Sequence, residues 1–212
     1  LIGSPPTNVW LMETDDEDFS RIVNQGNNFP LQRGIPAWSP DGSQLAWVEY
    51  NETLGARLVI YTLSSGSTQV VADGLNLGFQ DGGIYVHEVK WGAEGITRHY
   101  GTFVESGQFQ SIIELYNPAN NSLSQFLLLS VDFTEATQID SPISAPQEHV
   151  WIEHEGRAMI AVLYSDGSWR VIDPLNGNQF ELADAPSLMA SNGNGTILTP
   201  IYSPATTDGG SN

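Results

Sequence analysis

Apolar residues along this chain fall in short runs, without a sustained 3.6-residue period, and clusters of Gly, Pro, Asp, Asn and Ser separate each run from the next. Short alternating or continuous apolar runs bounded by turn residues predict β-strands. In "PAWSPDGSQLAWV" (36–48) a first run ends at Trp38 and the next starts at Gln44. Between them Pro40 presets φ and Asp41-Gly42 tolerates a left-handed backbone, so the stretch predicts a hairpin. The pattern recurs in "WGAEG" (91–95), "IEHEG" (152–156) and "MASNG" (189–193), each a large apolar residue followed by an acidic or amide residue and Gly.

Each turn is followed by a second run: "SQLAWVEY", "ITRHYGTFV", "RAMIAVLY" and "TILTPIY". Third runs cover 57–63, 110–116 and 168–175, and fourth runs cover 67–72, 122–129 and 178–183. The last turn lacks its third and fourth runs, but the chain start supplies them as "NVWLMET" (8–14) and "FSRIV" (19–23). The predicted fold is therefore all-β: a four-bladed β-propeller closed by a split sheet shared between the N- and C-termini. Trp38 and Trp91 are expected as equivalent core residues at the ends of first strands. Residues 1–7 lack an initiator Met and a signal-peptide pattern and read as a linker left after processing. Residues 8–203 are expected as one propeller domain, and 204–212 as a flexible tail.

"PAWSPDGSQLAWV" followed by "ARLVIYTLSSGSTQVV" resembles the repeat of TolB-type propellers, well over about 35–73 and in degraded form in the other units. In that family the Asp-Gly turn is structural, so the resemblance implies that Asp41 and Gly42 form a turn and not a site. TolB-type rings have more than four sheets, so four units imply a minimal ring or a fragment of a larger ring. The family binds diverse partners, and the resemblance names no ligand.

Charge narrows the partners. Seven Lys and Arg stand against 25 Asp and Glu, a formal charge of −18. Such a surface repels phosphate backbones and anionic lipid, so neither nucleic-acid binding nor membrane insertion is expected. Without cysteine there is no disulfide, thiolate zinc site or cysteine nucleophile. The acidic, lysine-poor composition fits an exported chain, extracellular or periplasmic.

No motif spells out catalysis. There is no GxSxG elbow, phosphate loop or dinucleotide fingerprint, and "SDGSW" (165–169) lacks the spacing of a sialidase Asp-box. His149 and His154 are five apart and so point to opposite faces of a strand; His87 and His149 begin equivalent first strands and would form at most a loose metal site. "TDDEDF" (14–19) concentrates carboxylates but lacks the spacing and glycine of a calcium loop, and reads as a solvated turn. Glu88, Glu148 and Glu153 are the acids placed for glycosidase work. No catalytic residue, metal or cofactor is assigned.

The connections between units, 24–34, 74–85 and 130–147, are long, and long loops on a rigid scaffold are where binding residues concentrate. Each carries a phenylalanine. Phe29, Arg33, Phe79, Gln80, Asp81 and Phe133 are the expected binding residues, for a protein or glycan partner on that face; the alternative is that the phenylalanines plug gaps between sheets. The chain reads as a non-catalytic binding or assembly module of an exported protein or cell-envelope complex. The rival readings are a glycoside-active propeller with channel carboxylates and an accessory or sensor domain of a larger envelope protein.

Overall fold

Acid–glycine turns close the hairpins where the sequence places them. The computed structural model describes residues 8–13, 18–23, 31–78, 88–104, 107–132, 144–182, 190–191 and 197–198. The chain opens with an antiparallel hairpin, β1 (Val9–Glu13) and β2 (Asp18–Val23). The first full sheet contains β3 (Gln32–Arg33), β4 (Ala37–Trp38), β5 (Gln44–Asn51), β6 (Gly55–Thr62) and β7 (Ser67–Asp73). The second contains β8 (Val89–Gly92), β9 (Gly95–Phe103), β10 (Gln108–Asn117) and β11 (Ser122–Asp132). The third contains β12 (Pro146–His154), β13 (Arg157–Tyr164), β14 (Trp169–Ile172) and β15 (Gln179–Glu181). A short pair, β16 (Ala190–Ser191) and β17 (Ile197–Leu198), ends the described chain.

β3 and β4 act as one broken first strand. Arg33 pairs with Glu49 and Ala37 with Ala46, so four steps on one strand oppose three on β5. Gly34 N still donates to Val48 O at 2.9 Å, but Pro36 has no N–H for the ladder, and the strand bulges there. Bulges recur in the fourth strands: the pairing skips Val71 on β7 and Leu128 on β11. Both skipped residues pack into cores between sheets, so the extra residue turns one more apolar side chain inward.

The strands alternate, and each sheet has two apolar faces. Leu45, Trp47, Val59 and Tyr61 meet Val9 and Ile22 of the N-terminal hairpin. On the opposite face, Ala46, Val48, Leu58 and Ile60 meet Val89, Trp91, Ile96 and Tyr116 of the second sheet. The second and third sheets join through Ile113, Leu115 and Phe126 against Trp151, Ile160 and Tyr164. The far face of the third sheet, including Met159, Ala161 and Trp169, is also buried. The first strands β4, β8 and β12 stand side by side, and β16 stands beside β12. The sheets therefore fan out from a row of first strands, the arrangement of propeller blades.

One expectation is corrected. Trp91 is buried in the first seam, but Trp38 is 47% exposed. Trp38 pairs with Leu45 and so lies on the hairpin side of the first sheet, where Val9 and Ile22 cover Leu45 and Trp47 and leave the indole uncovered. The strands expected at 8–14 and 19–23 are β1 and β2. Residues 199–202, through which the two ends would pair, lie outside the described residues, as do 1–7 and 204–212.

Candidate functional site

Antiparallel order puts the first-to-second and third-to-fourth turns at one end of every sheet. The second-to-third turns and the sheet-to-sheet connections bound the other end. At the connection end, Phe29, Phe79, Gln80, Asp81 and Phe133 lie outside the described residues. Arg33 is described and is 8% exposed. Its Nε donates to Glu49 Oε2 at 3.2 Å, and Arg57 reaches Oε1 of the same carboxylate at 2.7 Å through its own Nε. The register explains this: Glu49 sits opposite Arg33 on one side and Arg57 on the other. Within the described residues, then, Arg33 belongs to a buried cross-strand ion triad.

The second sheet holds a matching pair with the charges exchanged. Arg98 on β9 faces Glu114 on β10, Nε to Oε2 at 2.6 Å, and its Nη1 donates to the Asn76 carbonyl at 2.6 Å. Gln125 Nε2 donates to Glu114 Oε1 at 2.8 Å, and the Arg98 guanidinium stacks over Tyr100 at 4.5 Å. Burial, reinforced by the Glu114 charge, pushes the Tyr100 hydroxyl up to about 12. Arg98 thereby ties the start of the connection after β7 to the second sheet.

The seam between the second and third sheets carries a polar relay. Thr97 Oγ1 donates to the Lys90 carbonyl at 3.2 Å and accepts from Trp151 Nε1 at 3.1 Å. With its one proton committed, it accepts from His149 Nε2 at 3.0 Å, which places the imidazole proton on Nε2. Burial, followed by the His99 and Lys90 charges, holds the His149 pKa down to about 3. His149 is thus a neutral wedge between sheets. His87 lies outside the described residues, and among the described residues no three His, Asp or Glu side chains group to hold a metal.

At the turn end the hairpins enclose a cavity of about 470 Å³. Pro40 reaches it from the first sheet, Ala93 and Glu94 from the second, and Glu153, Arg157 and Leu175 from the third. Arg157 Nη1 donates to Asp173 Oδ2 at 2.9 Å. The Leu175 backbone N–H, then the Arg157 charge, hold the Asp173 carboxyl below the usual range. Of the acids placed for glycosidase work, Glu88 pairs with Lys90. Glu148 and Glu153 are five residues apart on β12 and so point to opposite faces of that strand. Sequence reasoning missed this end as a site. Of the acids that line it, only Glu94 lies in an acid–glycine first turn; Glu153 is on β12 and Asp173 follows β14.

No family model matches the chain. The Tol-Pal system protein TolB of Histophilus somni strain 2336 is 36% identical over 70 residues, 33% of this chain and 15% of that protein. The Actinobacillus succinogenes protein of the same name is 40% identical over 58 residues, 27% of this chain and 13% of that protein. The crystal structure of TolB from Acinetobacter baumannii superposes with a TM-score of 0.50 at 13% identity, covering 86% of this chain and 39% of that one. The matched region is thus a small fraction of the length of these relatives. The chain is similar to TolB, in sequence over about a third of its length and in fold over most of it, and is consistent with the TolB-type propellers.

Proposed function

We propose that the chain is a non-catalytic binding or assembly module of the cell envelope, periplasmic or extracellular, built as a four-bladed ring. In this reading β16 and β17 are the first and second strands of a fourth blade, and β1 and β2 its third and fourth. The observation that supports it is that β16 stands beside β12 as β12 stands beside β8 and β8 beside β4, while β1–β2 and β16–β17 are each two-stranded. Likeness to proteins named for the Tol-Pal system supports the envelope location.

A protein partner docks on the connection end. The strand ends that bound 79–87 and 133–143 stand at that end, whereas the turns opposite are short. The contacts proposed there are Phe29, Phe79, Gln80, Asp81 and Phe133, whereas Arg33 is committed to Glu49. The test is a photo-crosslinking amino acid at position 29, 79 or 133 in a periplasmic extract. Adducts are expected from these positions and not from position 70 on the outer strand β7; the reverse pattern would exclude the connection end as the docking face.

A further inference from the structure

The cavity at the turn end stands apart from the connection end, and its chemistry is specific. Its volume of about 470 Å³ lies within the range of small-ligand sites, far more than one bound ion fills. Three sheets contribute to it, so its shape depends on how the sheets fan. Its charges do not cancel. Arg157 is taken by Asp173, while Glu94 and Glu153 make no ion pair or hydrogen bond among the described residues. Two uncompensated carboxylates therefore face a concave space whose walls also include Pro40, Ala93 and Leu175. Leu175 is 71% exposed, an apolar surface with nothing described upon it. The net charge of −18 deepens the negative potential of such a concavity and draws cations to it.

We propose that this cavity is a second binding site, which takes a lysine- or arginine-bearing peptide segment. The cationic head sits between Glu94 and Glu153, and an adjacent apolar side chain lies against Pro40 and Leu175. Two carboxylates on different hairpins require a ligand that spans them. An apolar wall beside them favours a basic peptide over a bare cation.

The test is titration of the ¹⁵N-labelled protein with the acetylated, amidated tetrapeptide Leu-Lys-Lys-Leu, followed by backbone NMR. Saturable shifts are expected at the amides of Ala93, Glu94, Glu153 and Gly156. The tetrapeptide Leu-Glu-Glu-Leu should leave these amides unmoved. The double variant Glu94→Gln, Glu153→Gln should weaken the lysine peptide by about tenfold, since each exposed pair is worth up to about 1 kcal/mol. Both acids are at least partly exposed, so the variant retains the fold, which its unchanged far-UV spectrum verifies. No shifts at these amides, equal shifts with both peptides, or unchanged affinity in the double variant would each overturn the proposal. The connection-end reading is untouched by any of these results, because its crosslinks arise at the other end.

Discussion

Gly92→Ala is the sharpest perturbation of the seam between the second and third sheets. Gly92 ends β8, and a Cβ built on it would overlap the indole of Trp151. Its φ lies outside the left-handed region, so the cost arises from space alone. Trp151 is 4% exposed, and its Nε1 bond to Thr97 Oγ1 at 3.1 Å holds it in place. Overpacking a close-packed core costs about 1–3 kcal/mol, and displacing the indole from Thr97 adds about 1 kcal/mol. The expected loss is therefore about 2–4 kcal/mol, read from equilibrium urea unfolding. In a Trp151→Leu background the clash is gone, and the same substitution should cost at least about 1 kcal/mol less, the coupling expected of touching residues. A loss below about 0.5 kcal/mol, or an equal loss in both backgrounds, would refute the stacking of Trp151 on β8.

His149 makes stability depend on pH. Below about pH 6.5 the unfolded chain takes up a proton that the folded chain refuses until about pH 3, so stability falls through that window by up to about 1.4 kcal/mol per unit. Urea unfolding at pH 7 and 5 should show a smaller drop for His149→Gln than for the parent chain; equal drops would contradict the buried neutral imidazole. Arg98→Met leaves Glu114 buried without its cation and should cost about 3–5 kcal/mol, whereas Arg157→Met, at a side chain 52% exposed, should cost no more than about 1 kcal/mol. Trp91→Ala should cost about 3–5 kcal/mol, and exposed Trp38→Ala less than half of that, in thermal or urea melts. Asp41 accepts from the Ser39 and Ser43 hydroxyls and the Ser43 N–H, which holds its carboxyl at about 2; its stabilising effect is present above pH 3.8 and is lost as pH falls through about 2, a midpoint carboxyl NMR titration reads directly.

The strands were legible because turn chemistry here is local. Asp41-Gly42 and Glu155-Gly156 place left-handed residues where the chain must reverse, with φ of 71° at Gly42, 52° at Glu155 and 74° at Gly156. The exposure of Trp38 was not legible, since a repeat predicts equivalent positions but the first sheet of a row has a different neighbour from the second. Nor was the burial of Arg33 legible. Its position in a long connection suggested a surface contact, and only the register of β3 against β5 sets it opposite Glu49. The turn-end cavity depends on how three sheets converge, a long-range property that no single hairpin encodes.

A blade shared by both chain ends is the feature on which ring closure depends, and backbone NOEs between those ends test it most directly. If β17 and β1 are neighbouring second and third strands, cross-strand Hα–Hα and amide–amide NOEs must link residues 9–13 with residues 197–202, since facing residues in an antiparallel ladder lie about 4.5–5.5 Å apart. A shared blade predicts that ladder, alongside the β1–β2 pairing in which Met12 faces Phe19. Strand NOEs from residues 9–13 to residues 43–50 in place of 197–202 would contradict the shared blade and leave the three sheets an open row.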